Sequence, residues 1–215
     1  MRSRLKRRKG LVGIEAAIVM IAFIIVAAAL AFVTLNMGMF TTQRTREVIH
    51  RGLGEASSAL EVDGSITALT DSDSEVYVVS IPIKLAPGRE VVDLRNEKVT
   101  ISLKLPDVFF EDIHKGVKHL DDLGLSDTNT SAIVSAIWAT APTAPEAYIV
   151  FIKDNVKDTV LEFGEKAIIL IHLGSNTLDA YNEVKVEVRP PEGAPLTVAR
   201  SMPAILPPET AVDLG

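Results

Sequence analysis

The sequence predicts an α+β chain, with a long N-terminal hydrophobic α-helix followed by an all-β, immunoglobulin-like β-sandwich head. Three observations predict it. Residues 16–35 are twenty consecutive positions without a charge. At 1.5 Å per residue they rise about 30 Å as a helix, the thickness of a bilayer's hydrocarbon core. No proline occurs before Pro82. From Glu75 onward apolar residues recur at every second position, in short runs separated by Gly and Pro turns, the pattern of half-buried strands.

Residues 1–10 read as a leader. They carry six basic residues, Arg2, Arg4, Lys6, Arg7, Arg8 and Lys9, and end in Gly10. A cleaved secretory signal has an apolar core of about 7–15 residues and a small-residue site behind it. The run here is longer, and Asn36-Met37-Gly38 makes a poor site. Two readings remain. In one, the basic residues hold an uncut anchor's N-terminus in the cytoplasm. In the other, a cut between Gly10 and Leu11 strips all six and leaves the apolar helix on the mature chain. Glu15 favours the second reading. A lone carboxylate in an apolar span costs about 2–3 kcal/mol, and a plain anchor has no use for it. After the cut Glu15 is the fifth residue, about one helical turn from a new amine. It can then neutralise that amine or a neighbouring subunit's.

Residues 11–61 read as one continuous helix, roughly 75 Å long, too long to be covered by a head of about 150 residues. Fifteen large apolar side chains lie between Ile18 and Phe40, each worth about 1.5–3 kcal/mol when buried. Lipid, then a bundle of identical helices, would cover them. Ile18, Ile21, Ile25, Leu30 and Val33 are the expected packing positions, and Ala27, Ala28, Ala29 and Ala31 let helices approach closely. Beyond Phe40, Ile49, Leu53, Ala56 and Leu60 follow i, i+4, i+7, i+11 spacing, a narrow helix-packing seam.

Residues 62–74 read as a hinge between helix and head. The acidic run from Asp71 to Glu75 lacks the glycine and terminal acid spacing of an EF-hand loop and reads as a solvated turn. The outer β-domain then spans 75–215. Tyr77, Val79, Ile81, Ile83 and Leu85 share one strand face, and Val99, Ile101, Leu103 and Leu105 another. Pro87-Gly88 marks a turn between them, and Pro82 implies an edge strand or bulge. An insert at about 106–145 interrupts the β pattern. There Asp107 to Leu125 is compatible with an amphipathic helix, and Thr130 to Trp138 is apolar and alanine-rich, with Trp138 read as core. His114 and His119 are five apart, whereas helical metal ligands prefer i, i+4, so they read as a surface pair. Asn129-Thr130-Ser131 is an N-glycosylation sequon. Buried runs at 147–152 and 166–173, alternation at Val184, Val186 and Val188, and the turn Pro190-Pro191-Glu192-Gly193 complete a sandwich pattern.

Composition narrows the chemistry. The formal charge is -6, with 22 basic and 28 acidic residues and no cysteine. Without residues 1–10 it becomes about -12, an acidic surface unsuited to nucleic acid. The absence of cysteine rules out disulfides and thiolate metal sites. No Gly-rich phosphate loop, G-x-S-x-G or H-E-x-x-H occurs. No enzyme activity, cofactor or metal is expected.

The arrangement RRKG-LVGIE followed by a long apolar helix resembles the class III signal of type IV pilin-like proteins. Within that superfamily the chain resembles the archaeal flagellins, or archaellins. The match is most specific from Arg7 through Ile14-Glu15-Ala16-Ala17-Ile18-Val19 to Gln43, Gly52-Leu53 and Ser57-Ser58-Ala59-Leu60. It resumes at SIPIKLAPGREVVDLRNEKVTISL and at the proline-bearing end from Leu196 to Leu214. The resemblance implies cleavage after Gly10 by a membrane prepilin peptidase. Extraction from the cytoplasmic membrane by an assembly ATPase and its membrane platform would follow. The product would be an extracellular helical filament for swimming, built with itself and paralogous archaellins. A static adhesion pilin and a membrane-anchored outward-facing binding domain are the alternative readings.

Overall fold

The computed structural model describes residues 9–56, 59–88, 91–125, 129–154 and 156–215, and the backbone alone at 9–12, 55 and 56. Two compact units divide the chain, Met1–Leu53 and Gly54–Gly215.

The described residues of the first unit all belong to one helix, α1 (Lys9–Ala56), whose last three residues fall in the second. Alanine and long aliphatic residues favour it, and no proline interrupts it. The hydroxyls of Thr34, Thr41, Thr42 and Thr45 each donate to the carbonyl four residues earlier, at 2.8–2.9 Å. Their polar groups are thereby satisfied by the helix itself, so they can sit among apolar surroundings.

The helix ends five residues short of the expected 61. Leu60 belongs instead to β1 (Leu60–Val62) and, like Ala59, is buried in the head's core. Leu60-Glu61-Val62 also alternates apolar and polar as a strand does, so Leu60 suits either element. Its apolar partners lie in the head: β1 pairs with β3 (Val76–Leu85), with Leu60 opposite Leu85. The 62–74 hinge is also corrected. It holds β2 (Thr67–Thr70), and Ile66 and Ala68 are fully buried. Only its acidic end, from Asp71 onward, is a turn.

The remaining strands are β4 (Val91–Asp93), β5 (Thr100–Lys104), β6 (Phe109–Phe110), β7 (His114–His119), β8 (Glu146–Lys153), β9 (Val160–Glu162), β10 (Lys166–His172), β11 (Glu183–Arg189), β12 (Leu196–Ser201) and β13 (Ala211–Asp213). One short helix, α2 (Thr130–Ile137), interrupts them. The larger sheet runs β13-β2-β3-β10-β8-β7, with β1 also on β3. The smaller runs β12-β11-β5-β6, and β4 pairs with β9 alone. One apolar core joins the two larger sheets, from Ile81, Ile149 and Ile169 on one side to Ile101, Leu103 and Val186 on the other. The two runs flanking Pro87-Gly88 therefore belong to different sheets rather than to one hairpin.

The larger sheet is covered on both faces. Its second face, with Leu69, Val78, Val150, Ile168 and Leu170, packs against Ile133 and Val134 of α2 and against Leu120. Two-sided burial explains why β10 reads as a continuous apolar run, while β11 alternates cleanly with its polar face in solvent. The stretch 106–145 is thus part of the head's architecture. The helix expected from Asp107 to Leu125 is instead β6, β7 and a 3₁₀ turn at Leu120–Leu123. The backbone pairing of β7 with β8, the parallel one, overrides the weak helical periodicity there.

Two further details correct the strand reading. A register shift between Leu69 and Thr70 against β3 moves Tyr77 to the α2 side, and Val76 takes the core position. Pro82 lies in an interior strand. Its carbonyl accepts from the Asp63 N–H at 3.0 Å, so its N-side faces the gap between the end of β1, where Val62 lies opposite Ile83, and the start of β2, where Thr67 lies opposite Ser80. The missing donor falls where the ladder is already interrupted. Gly174, at φ +67, is obligatory: a Cβ there would lie 2.6 Å from the Thr143 carbonyl oxygen.

Asp63 ties this region together, with Lys84 at 3.3 Å and Lys166 in closer contact. The Lys166 ammonium above all, with Lys84, holds the Asp63 carboxyl below the usual carboxylate value against an opposing effect of burial. His172, buried beside Tyr77 and Trp138, is shifted the same way because burial disfavours its charged form; Glu146 opposes this weakly. Both groups therefore make the head acid-sensitive. The His172 contribution is complete above about pH 6.5, its unfolded value, and fades as pH falls toward its lowered folded value. The Asp63 contribution is complete above about 3.8 and fades below that. Urea midpoints recorded against pH should fall in two stages. His172→Gln should flatten the first stage and Asp63→Asn the second, and parallel curves for all three proteins would refute the assignment.

Candidate assembly surface

From Gly13 to Leu53 every residue of α1 is exposed. The apolar residues run all round the helix between Ile14 and Phe40. Ile18 is 61% exposed, Ile21 56%, Ile25 63%, Leu30 63% and Val33 56%. At 100° per residue, Ile18, Ile21 and Ile25 fall on one side, and Leu30 and Val33 on another. A coiled-coil dimer covers one stripe; this helix needs cover on all sides. It is long and apolar enough to cross a membrane.

After Phe40 the surface changes. Arg44 and Arg51 flank Glu47 at 3.4 and 3.3 Å, and the Arg44 guanidinium lies 5.6 Å from the Phe40 ring centre. Ile49 and Leu53, one turn apart, remain exposed and unpartnered by the described residues. The Ala56 side chain lies outside the described residues, as do Arg2, Arg4, Lys6, Arg7 and Arg8. The backbone at Gly10 and Leu11 is helical, and Glu15 is exposed on α1.

Gly38 is one of four glycines, with Gly13, Gly52 and Gly54, that soften the expected helix. A Cβ at Gly38 would meet nothing within 4 Å, so no contact within the described chain calls for glycine there. Glycine inside a helix costs about 1 kcal/mol relative to alanine. A sequence signal was present: a glycine between two methionines in an otherwise unbroken helical run.

In the head, His114 and His119 do not form a surface pair. His114 is buried, with its ring nitrogens 3.0 Å from the Val99 carbonyl oxygen and 3.2 Å from that of Gly116. His119 stacks on Phe151 at 5.3 Å. Its Nδ1 lies 2.8 Å from Asp154 Oδ2, a close polar approach without hydrogen-bond alignment. Each ring thus has its own packing role. Asn129 is exposed and caps α2, its Oδ1 accepting from the Ser131 N–H at 3.1 Å. Trp138 is half-buried between Tyr148 and His172.

A sandwich head joined to a long apolar helix that no described residue covers defines a class: chains whose helix must be buried by lipid or by other chains. The chain belongs to the archaeal-type flagellin family, whose model matches residues 10–200. It is 53% identical over 211 residues to the protein named "Probable flagellin 1" of Aeropyrum pernix, covering 98% of this chain and 100% of that one. Its fold is similar to the crystal structure of archaeal flagellin FlaB1 from Methanocaldococcus jannaschii, with TM-score 0.58 and 22% identity over 74% of this chain and 97% of that one. It is also similar to the archaeal flagellum of Methanospirillum hungatei strain JF1, with TM-score 0.50 and 23% identity over 90% and 94% of the two chains. As a member of this family the chain is a structural subunit of the archaeal flagellar filament on the cell surface.

Proposed function

We propose that α1 is the polymerising element of a swimming filament, and that it resides in the cytoplasmic membrane before assembly. The observation that carries this reading is the all-round apolar surface of α1, none of it covered within the described chain. Sister helices bury it in the filament core, and Gly38 and the alanines at 27–29 and 31 provide the close approaches. A membrane prepilin peptidase removes residues 1–10 by cutting between Gly10 and Leu11. An assembly ATPase and its membrane platform then transfer the helix from lipid to filament, alone or with paralogous subunits. The subunit itself catalyses nothing. A glycan on Asn129 fits its exposed position, and attachment through Nδ2 leaves Oδ1 free to cap α2.

Mass spectrometry of the intact protein sheared from cells tests the processing step. A chain beginning at Leu11 in a filament fraction supports it. A chain beginning at Met1 and confined to membranes restores the anchored-domain reading. Motility of a deletion strain separates a swimming filament from a static adhesion pilus.

Glu15→Ala should be processed normally yet assemble poorly, because the new amine then enters the helical core without a counter-charge. Immunoblots of membrane and sheared fractions will check this; an unchanged filament yield removes Glu15 from the scheme.

A further inference from the structure

The outer face of the smaller sheet carries an unneutralised basic row. Lys185 of β11 is directly opposite Lys104 of β5, and Lys104 is directly opposite Phe109 of β6. Directly paired residues project from the same face of a sheet. Both lysines are exposed, and neither forms an ion pair with any described residue. Glu183 lines the same groove but lies beyond ion-pair distance of both. Like charges facing each other across two strands destabilise a sheet. They stand here in an acidic unit: from Gly54 onward the chain has 26 acidic residues and 13 basic ones.

Two exposed aromatic rings flank the row. Phe109 is 62% exposed and Tyr181 76%. Tyr181 lines the groove with Lys104, Pro106 and Lys185. Its backbone is held at φ +66 by its own N–H to the Met202 carbonyl and the Met202 N–H to the Asn182 carbonyl, at 3.1 and 2.8 Å. A left-handed conformation is costly for a bulky residue, and this one leaves an aromatic ring in solvent.

We infer that this groove is a lateral contact in the filament and receives carboxylates from the head of a second copy of the chain. The inference rests on the filament reading above. Charge complementarity selects the occupant: heads brought together by their helices are acidic, and each presents here two adjacent cations without counter-ions among the described residues. The contact is heterologous, since a lysine strip cannot pair with itself, and such contacts propagate helically.

The test is the double variant Lys104→Glu/Lys185→Ser, expressed in cells lacking the native gene. It removes the facing like charges, so the solubilised chain should unfold no earlier than wild type in urea. Its filaments should nonetheless dissociate at a lower temperature, with roughly fivefold more subunit in the unassembled fraction. They should also lose the salt sensitivity that screening gives the wild-type filament. Filaments with wild-type length, dissociation temperature and salt response would overturn the inference. So would intact filaments that have lost only attachment to anionic surfaces, because the partner would then lie outside the filament. Absence of filaments from wild-type cells would instead refute the filament reading.

Discussion

Ile25→Asp is expected to abolish the filament while leaving the head folded. Ile25 lies midway along the uncovered apolar run. A carboxylate at the centre of a membrane helix costs about 2.5–3.5 kcal/mol, and one buried unpaired among packed helices costs more. The core shared by the two larger sheets contains no residue of α1. Urea unfolding of the detergent-solubilised variant should therefore match wild type in its head transition. Electron microscopy of the sheared fraction should find no filaments. A wild-type yield of filaments would mean that the middle of α1 is not buried on assembly.

Phe151→Ala should cost the head about 3–5 kcal/mol, the usual range for removing a buried aromatic ring. Phe151 is 1% exposed. It occupies β8 opposite Ala167 of β10 and His119 of β7, and its ring stacks on that of His119. Its removal opens a cavity where three strands meet, in a domain whose total stability is on the order of 5–15 kcal/mol. Phe163 is the internal control: at 84% exposure its replacement by alanine should cost less than about 0.5 kcal/mol. Equal urea midpoints for the two variants would show that the core has been misplaced.

The apolar run of α1 and the strands at 147–152 and 166–173 were legible in the sequence because burial leaves a local mark there. The same local mark drew attention to the apolar residues of α1, which the structure leaves exposed. Events that depend on distant partners were not. Leu60 fits both a helical seam and a strand, and only Leu85 decides between them. Tyr77 has the parity of the core face, but a bulge against β2 turns it to the other side. In the 106–125 segment Phe109, Ile113, Val117 and Leu120 keep a helical spacing that misleads. Its conformation comes from pairing with β8, more than thirty positions away. Lys104 and Lys185 each look like ordinary solvent-facing residues of alternating strands; register alone makes them neighbours.

The closure of the larger sheet by β13 has a consequence for when the head can fold. Strand β2, about ten residues beyond α1, pairs with β13, with Leu69 opposite Ala211. The Thr70 hydroxyl reaches the Thr210 carbonyl at 3.0 Å across 140 positions. During synthesis β3 follows β2 at once, whereas β13, its partner on the other side, follows some 140 positions later. Contacts of such separation slow folding, and domains complete themselves as units. That edge of the head thus closes last, long after the hydrophobic helix and the strands around β3 have been made.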